Sequence, residues 1–392
     1  MKRIVFSMLL SSFLVTGILA QESGYSFTDQ ISLPATPVKN QNRSGTCWSF
    51  SGISFFESEL LREGKGEYDL SEMYVVRTSY AKKAVKYARM HGTINFDAGG
   101  AFNDVTNTMS SLGIVPESAY PGLSYGEKKH VHGELNDAFK AYMSSIIGNK
   151  KLSTAWDEGF EGLLDAYFGT YPENFTYKGK AYTPESFETS LGLDMDDYVM
   201  ITSFSHHPFY KPFILEVPDN WAWGDVYNVK IDEMTDVIDY SLEHGYTVAW
   251  ATDVSEKGFS WRNGIAVVPS EDIADIEGLE RTKWDELSDR EKSALIYDFS
   301  IPHKEKVITQ EMRQFAFDNF ETTDDHGMHI TGMAKDQNGT PFYLVKNSWG
   351  TTGSPYNGYL YASKAYVKYK TTSILVNKNG IPPALRKKLG LK

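Results

Sequence analysis

The clearest periodicity in the chain runs from Cys47 to Arg62. Apolar residues fall at Trp48, Phe50, Ile53, Phe56, Leu60 and Leu61. Spacings of three and four predict a buried helix, and Gly64 ends it. A second helix follows, with Ser71 as its cap and Met90 near its end. Residues 92–102, GTINFDAGGAF, read as a glycine-rich loop, and 103–112 as a third helix that stops at Gly113. The stretch 127–245 is mixed, with helical patterns at 151–168 and 232–244 between turn-rich segments. After Gly245 the pattern turns strand-like in YTVAWATDV and GIAVVP. Residues 271–295 are charged and periodic, which suits an exposed helix or excursion. Residues 326–335 and 341–347 read as paired strands around the turn Asp336-Gln337-Asn338-Gly339, and 358–363 continues the sheet. Residues 21–40 hold two prolines and read as an extended lead-in with no helix. Helices first and strands last give an α+β class.

Composition narrows the function. The chain has 392 residues, 41% apolar and 23% charged, values of a folded protein with no disordered linker or internal repeat. A formal charge of −12 excludes nonspecific nucleic-acid binding, which needs a cationic surface. Residues 1–20, MKRIVFSMLLSSFLVTGILA, have the basic start, apolar run and small terminal residue of an export signal; an N-terminal membrane anchor is the other reading. No Cys follows the apolar run, which argues against a lipoprotein. Removing these residues takes two basic and no acidic side chains, moving the charge from −12 to −14. The expected protein is exported, secreted or periplasmic, with no stable membrane insertion after cleavage.

Cys47 is the only cysteine, so it cannot form an internal disulfide. It is either a buried inert hydrophobe or a reactive thiol. At the first turn of a helix, unpaired amides and the helix dipole favour a thiolate. A nucleophilic thiol also needs a base, a group that orients the base, and donors for an oxyanion.

Three segments then carry a resemblance. Gln41 through Gly45-Thr46-Cys47-Trp48-Ser49-Phe50 resembles the nucleophile segment of papain-like cysteine peptidases. Asp325-His326-Gly327-Met328 resembles their histidine strand, and Lys346-Asn347-Ser348-Trp349-Gly350 their Asn-Ser-Trp-Gly motif. The resemblance implies a two-lobed fold, a helical lobe plus an antiparallel β-barrel-like lobe, and a thiol protease acting on peptides without a cofactor. It implies Cys47 as nucleophile, His326 as base and Asn347 as the group that orients the imidazole. The Gln41 side chain and the Cys47 backbone amide would form the oxyanion hole. Trp349 would shield the His–Asn pair, with plain core packing equally compatible. His329 lies three positions from His326 and on a strand faces the other side. With Gly332 taken as the end of that strand, the family pattern selects His326.

The long stretch between Cys47 and His326 points to the bleomycin hydrolase and aminopeptidase C branch. Asp97-Ala98-Gly99-Gly100 with Gly113-Ile114-Val115-Pro116, Tyr182 to Phe187 with Asp197-Tyr198-Val199, and Val376-Asn377-Lys378 resemble that branch too. Gly99 and Gly100 would line the cleft beside substrate backbone. The implied layout is a helical lobe over 40–125, insertions over 127–245, a β-rich lobe over 246–375 and a short tail over 376–392. Two departures stand out: the export signal, and a short basic tail where the branch has an arm that enforces aminopeptidase action. Endopeptidase action therefore stays open, as does a non-catalytic peptide-binding role. The branch's hexameric rings suggest a homo-oligomer. The pairs His130/His132 and His206/His207 lack metal-site spacing and read as solvated or turn histidines, and Asp194 to Asp197 lacks a calcium-loop pattern.

Overall fold

The computed structural model describes residues 24–271, 284 and 286–392. The export-signal reading of 1–20 and part of the 271–295 excursion lie outside these residues; within the excursion, Asp289–Ile296 is a helix capped by Ser288.

Helix α1 (Cys47–Arg62) is buried on nearly every side, as its apolar spacing predicts. Helix α2 (Glu72–Arg89) begins where the Ser71 hydroxyl accepts the Tyr74 N–H at 3.0 Å. Helix α3 (Phe102–Leu112) stops at Gly113, whose φ of 77° suits glycine. The mixed stretch adds α4 (Gly133–Ile147), α5 (Ala155–Phe168) and α6 (Pro184–Leu191), of which periodicity alone marked only α5. Leu135, Phe139, Phe160, Phe168 and Phe187 from these helices join Phe56, Leu60, Met73 and Tyr80 in one core. Each such side chain contributes about 1.5–3 kcal/mol on burial. Residues that read as insertions are thus a large part of the helical lobe's interior.

The strands are β1 (Phe27–Ser32), β2 (Phe175–Tyr177), β3 (Lys180–Tyr182), β4 (Tyr198–Thr202), β5 (Pro212–Ile214) and β6 (Asp225–Asn228). After α7 (Ile231–Glu243) come β7 (Val248–Thr252), β8 (Phe259–Ser260), β9 (Ile265–Ala266), β10 (His326–Asp336), β11 (Pro341–Lys346), β12 (Tyr359–Ser363) and β13 (Thr371–Asn377). All but β2 and β3 form one sheet, ordered β5-β6-β4-β13-β7-β10-β11-β12-β9-β8, with β1 on the far half of β10. The pairs β4/β6 and β9/β12 are parallel, so the sheet is mixed, and among the described residues it does not close into a barrel. The lead-in expected to be merely extended supplies β1, because its edge pairs with Gly332 to Asp336. Gly332 does not end β10 as expected. The strand bulges between Ile330 and Gly332 and continues to Asp336. A Cβ at Gly332 would overlap the Ile31 carbonyl, so β1 can lie there only against glycine.

The second core lies on the other side of the sheet. Met234 and Ile238 of α7 pack there against Trp250, Met328, Val345 and Val376. The tail residues Leu385 and Leu389, on the helix Pro383–Leu389, close the same core.

Helix α1 and strand β10 bring the lobes together. A Cβ on Gly327 would stand 2.6 Å from Ser51 Oγ and 3.2 Å from Trp48 Cα. Only glycine permits this approach, which sets the start of β10 against the start of α1.

Candidate active site

Cys47 opens α1 and is partly exposed. It lines a pocket between the lobes together with Trp48, Gly100, His326 and Gly327. The expected thiolate preference is reversed here. Burial, followed by the charges of Asp219 and Asp324, pushes the Cys47 thiol up to about 12, against the lowering effect of the Gly327 and Trp48 backbone donors. Burial likewise takes His326 down to about 4, although Asn347 and Asp325 pull the other way. Burial thus favours the neutral form of both groups, the thiol and the imidazole.

The imidazole tautomer follows from Asn347. Asn347 Oδ1 accepts the Ser348 backbone N–H at 2.7 Å, which identifies that atom as oxygen. The same oxygen lies 2.7 Å from His326 Nε2. An amide oxygen can only accept, so Nε2 carries the ring proton and Nδ1 is the basic nitrogen. Trp349 covers this pair: its ring centroid lies 4.6 Å from that of His326, and Trp261 packs edge-on behind it at 5.3 Å.

Gln41 is buried and held twice by Ser348: its N–H donates to the Ser348 carbonyl at 2.8 Å, and its Oε1 accepts the Ser348 hydroxyl at 2.6 Å. Its Nε2 has no partner among the described residues. Gln41 does not itself line the pocket that holds Cys47 and His326. Ser348 thus ties the Gln41 side chain to the Asn347 segment, a link that the motifs did not show.

The two glycines differ. Gly100 lines the pocket, and a Cβ there would meet Trp48 at 2.7 Å and Asp104 at 2.8 Å. Gly99 does not line it: a Cβ at Gly99 would overlap the Asp219 carboxylate. The loop is pinned from below by Lys83, whose Nζ donates to the Asp97 and Gly99 carbonyls at 2.6 Å each. The Trp48 indole N–H donates to the Ala98 carbonyl at 3.0 Å.

His329 stands apart from the pocket. It faces α1, where its Nδ1 lies 3.0 Å from Ser54 Oγ, and Ser54 accepts Lys346 Nζ at 2.7 Å. Burial holds it well below the usual imidazole range. His326 and His329 therefore occupy opposite faces of β10, as strand geometry requires.

His130 and His132 are not the solvated histidines expected. They are packed among Phe50, Tyr125 and Phe168, and burial lowers them to about 4 and about 3. His206 and His207 both reach Glu216, at 3.1 and 2.7 Å. Gln314 Oε1 accepts the Ser205 N–H, so its Nε2 donates to His206 Nδ1 at 3.0 Å. That leaves His206 Nε2 as the protonated atom, already engaged with the carboxylate.

Sequence reading missed Asp219, Asn220, Trp221 and Asp324. The Asp324-Asp325 pair directly before His326 was a visible signal; the 215–221 segment carried none. Trp221 Nε1 donates to Asp104 Oδ2 at 2.9 Å, which docks that segment beside the cleft.

Residues 27–183 match the papain family cysteine protease domain. Aminopeptidase C of Streptococcus thermophilus is 22% identical over 401 residues, covering 90% of this chain and 83% of that protein. Bleomycin hydrolase of Mus musculus is 21% identical over 416 residues, covering 92% and 84%. Among solved structures, PepW of Lactobacillus rhamnosis HN001 superposes with a TM-score of 0.67 at 20% identity, over 93% of this chain and 84% of that one.

Proposed function

We propose, for a chain that is a cysteine peptidase of the papain family, that it is a thiol aminopeptidase working through Cys47, His326 and Asn347. The observation that carries this reading is the 2.7 Å contact between His326 Nε2 and an Asn347 oxygen whose identity Ser348 fixes, with His326 lining the same pocket as Cys47. His326 Nδ1 takes the thiol proton as sulfur attacks the substrate carbonyl. The Cys47 backbone N–H, at a helix start, and Gln41 Nε2 stabilise the oxyanion. The imidazolium then returns its proton to the leaving amine, and water hydrolyses the thioester. The aminopeptidase part of the reading draws on the relatives named aminopeptidase C.

The same reading includes export through residues 1–20 and assembly into a homo-oligomer. Mass spectrometry of the secreted chain should find Gln21 at its N-terminus, and light scattering should give the assembly size.

The test combines labelling and turnover. An epoxide inhibitor should modify Cys47, and the enzyme should release the fluorophore from a leucyl amide with a free amine faster than from its N-acetyl counterpart. Labelling without cleavage of either substrate would point to a peptide-binding protein. Equal cleavage of both would point to an endopeptidase.

A further inference from the structure

In a substrate cut after its first residue, the ammonium nitrogen and the carbonyl carbon are joined through one Cα and lie about 2.5 Å apart. Whatever holds the ammonium must therefore share a pocket with Cys47. Among the described residues, that pocket carries no lysine or arginine on its walls, and its acidic groups are Asp219, Asp324 and Asp325.

Asp325 is already committed. Its Oδ2 accepts from Val254 N, Ser255 N and Ser255 Oγ, and its Oδ1 accepts Thr323 Oγ1 at 2.8 Å. Asp324 Oδ1 accepts Thr372 Oγ1 at 3.0 Å, and its second oxygen has no partner among the described residues. Asp219 Oδ1 accepts Asn95 Nδ2 at 3.0 Å, and its second oxygen has none either. Lys83 is the cation that acts on Asp219, yet its ammonium is spent on two backbone carbonyls.

Asp219 also lines the cleft beside Gly100. Its carboxylate occupies the space over the neighbouring Gly99, where even one added methyl group would overlap it. The segment that holds it is cross-linked to itself: Asn220 Nδ2 donates to the Leu215 and Gly224 carbonyls at 2.9 and 3.0 Å, and Gly224 N donates back to Asn220 Oδ1 at 2.8 Å. Leu215, Val217, Met200 and Val226 add an apolar stretch to the wall.

We infer that Asp219, with Asp324, is the specificity determinant of the enzyme: the pair receives the α-ammonium of a peptide with a free N-terminus, while the Asp219 side chain blocks any residue that would precede it. This assignment rests on the aminopeptidase reading. It places the selection in a side chain from the middle of the sequence. It also explains why two carboxylates stand beside a thiol whose ionisation they oppose. A bound ammonium neutralises them, and the thiolate then forms more readily in the presence of the correct substrate.

The test compares kcat/KM for free-amine and N-acetyl leucyl amides in wild type, Asp219→Asn, Asp324→Asn and Asp219→Glu, each checked by epoxide labelling of Cys47. Losing a charge-assisted contact should cost about 10–100-fold on the free-amine substrate and far less on the blocked one. Asp219→Glu, which keeps the charge, should recover part of the ratio. Should Asp219→Asn fail to label, Asp324→Asn decides. An amine-selective wild type whose ratio is unchanged in the labelled variants overturns this assignment alone. A wild type that cleaves both substrates equally overturns the aminopeptidase reading as well.

Discussion

His326 Nε2 and Asn347 Oδ1 are 2.7 Å apart, and the Ser348 N–H donates to the same oxygen at 2.7 Å. The backbone of β11's end thereby sets the tautomer of a histidine on β10. Asn347→Ala should lower kcat by about 10–100-fold through loss of ring orientation, with Cys47 still open to epoxide labelling. Turnover of a free-amine leucyl amide measures it.

The two histidines of β10 should separate cleanly. His326→Ala should abolish hydrolysis, because His326 is the only imidazole among the described residues that line the pocket with Cys47. His329→Ala should keep hydrolysis and lower thermal stability, because it empties a buried site beside Ser54 and Phe55. An inactive His329→Ala beside an active His326→Ala would reverse the assignment.

Gly327→Ala tests the contact between lobes. The added methyl meets Ser51 Oγ at 2.6 Å and Trp48 Cα at 3.2 Å, and the hydroxyl can turn away but the helix backbone cannot. Destabilisation of about 1–3 kcal/mol is expected in denaturant unfolding, with a larger fractional loss of kcat.

The pH profile should depend on the substrate amine. Burial, with Asp219, Asp325 and Asp253 nearby and Thr372 opposing them, raises the Asp324 carboxyl to about 7. It therefore loses its charge as pH falls through neutrality. Substrate α-ammonium deprotonates near about 8. Free-amine substrates should give a narrow bell in kcat/KM, and N-blocked substrates should lack its acid limb. His326, at about 4, stays a free base across this range.

Glu305 makes a stability prediction. Burial raises it to about 8; Ser363 Oγ donates to one oxygen at 2.6 Å, and the other is buried with no hydrogen-bond partner among the described residues. The folded state holds this proton more tightly than the unfolded chain. The contribution is full below the ordinary carboxyl range, near about 4.3, and is lost as pH rises through 8. Glu305→Gln should raise Tm at pH 8 and change it little at pH 4, by calorimetry.

Much of the fold was legible. The spacing in CWSFSGISFFESELLR marked α1, Ser71 marked the start of α2, and the Asn338-Gly339 turn marked the β10–β11 hairpin. These are local signals with local causes: side-chain period, a cap, a turn. Helix α4 and strand β1 were missed because each is stabilised by what it meets, Phe139 by Phe160 and Phe168, β1 by the edge of β10. The same divide runs through the site. The short motifs named Cys47, His326, Asn347, Gln41 and Trp349. The thiol's raised pKa was not foreseeable, because it comes first from tertiary burial and then from Asp219 and Asp324, which reach it from distant positions.

The sequence by itself determined the chemistry available: one thiol at a helix start, an imidazole, and an amide to orient it. Tertiary structure alone decided how that chemistry is steered. It laid Asp219 over Gly99, turned His329 toward α1, and packed residues 127–245 into both lobes. Such choices depend on charges and van der Waals contacts between residues a hundred or more positions apart, and no periodicity in the chain encodes those distances.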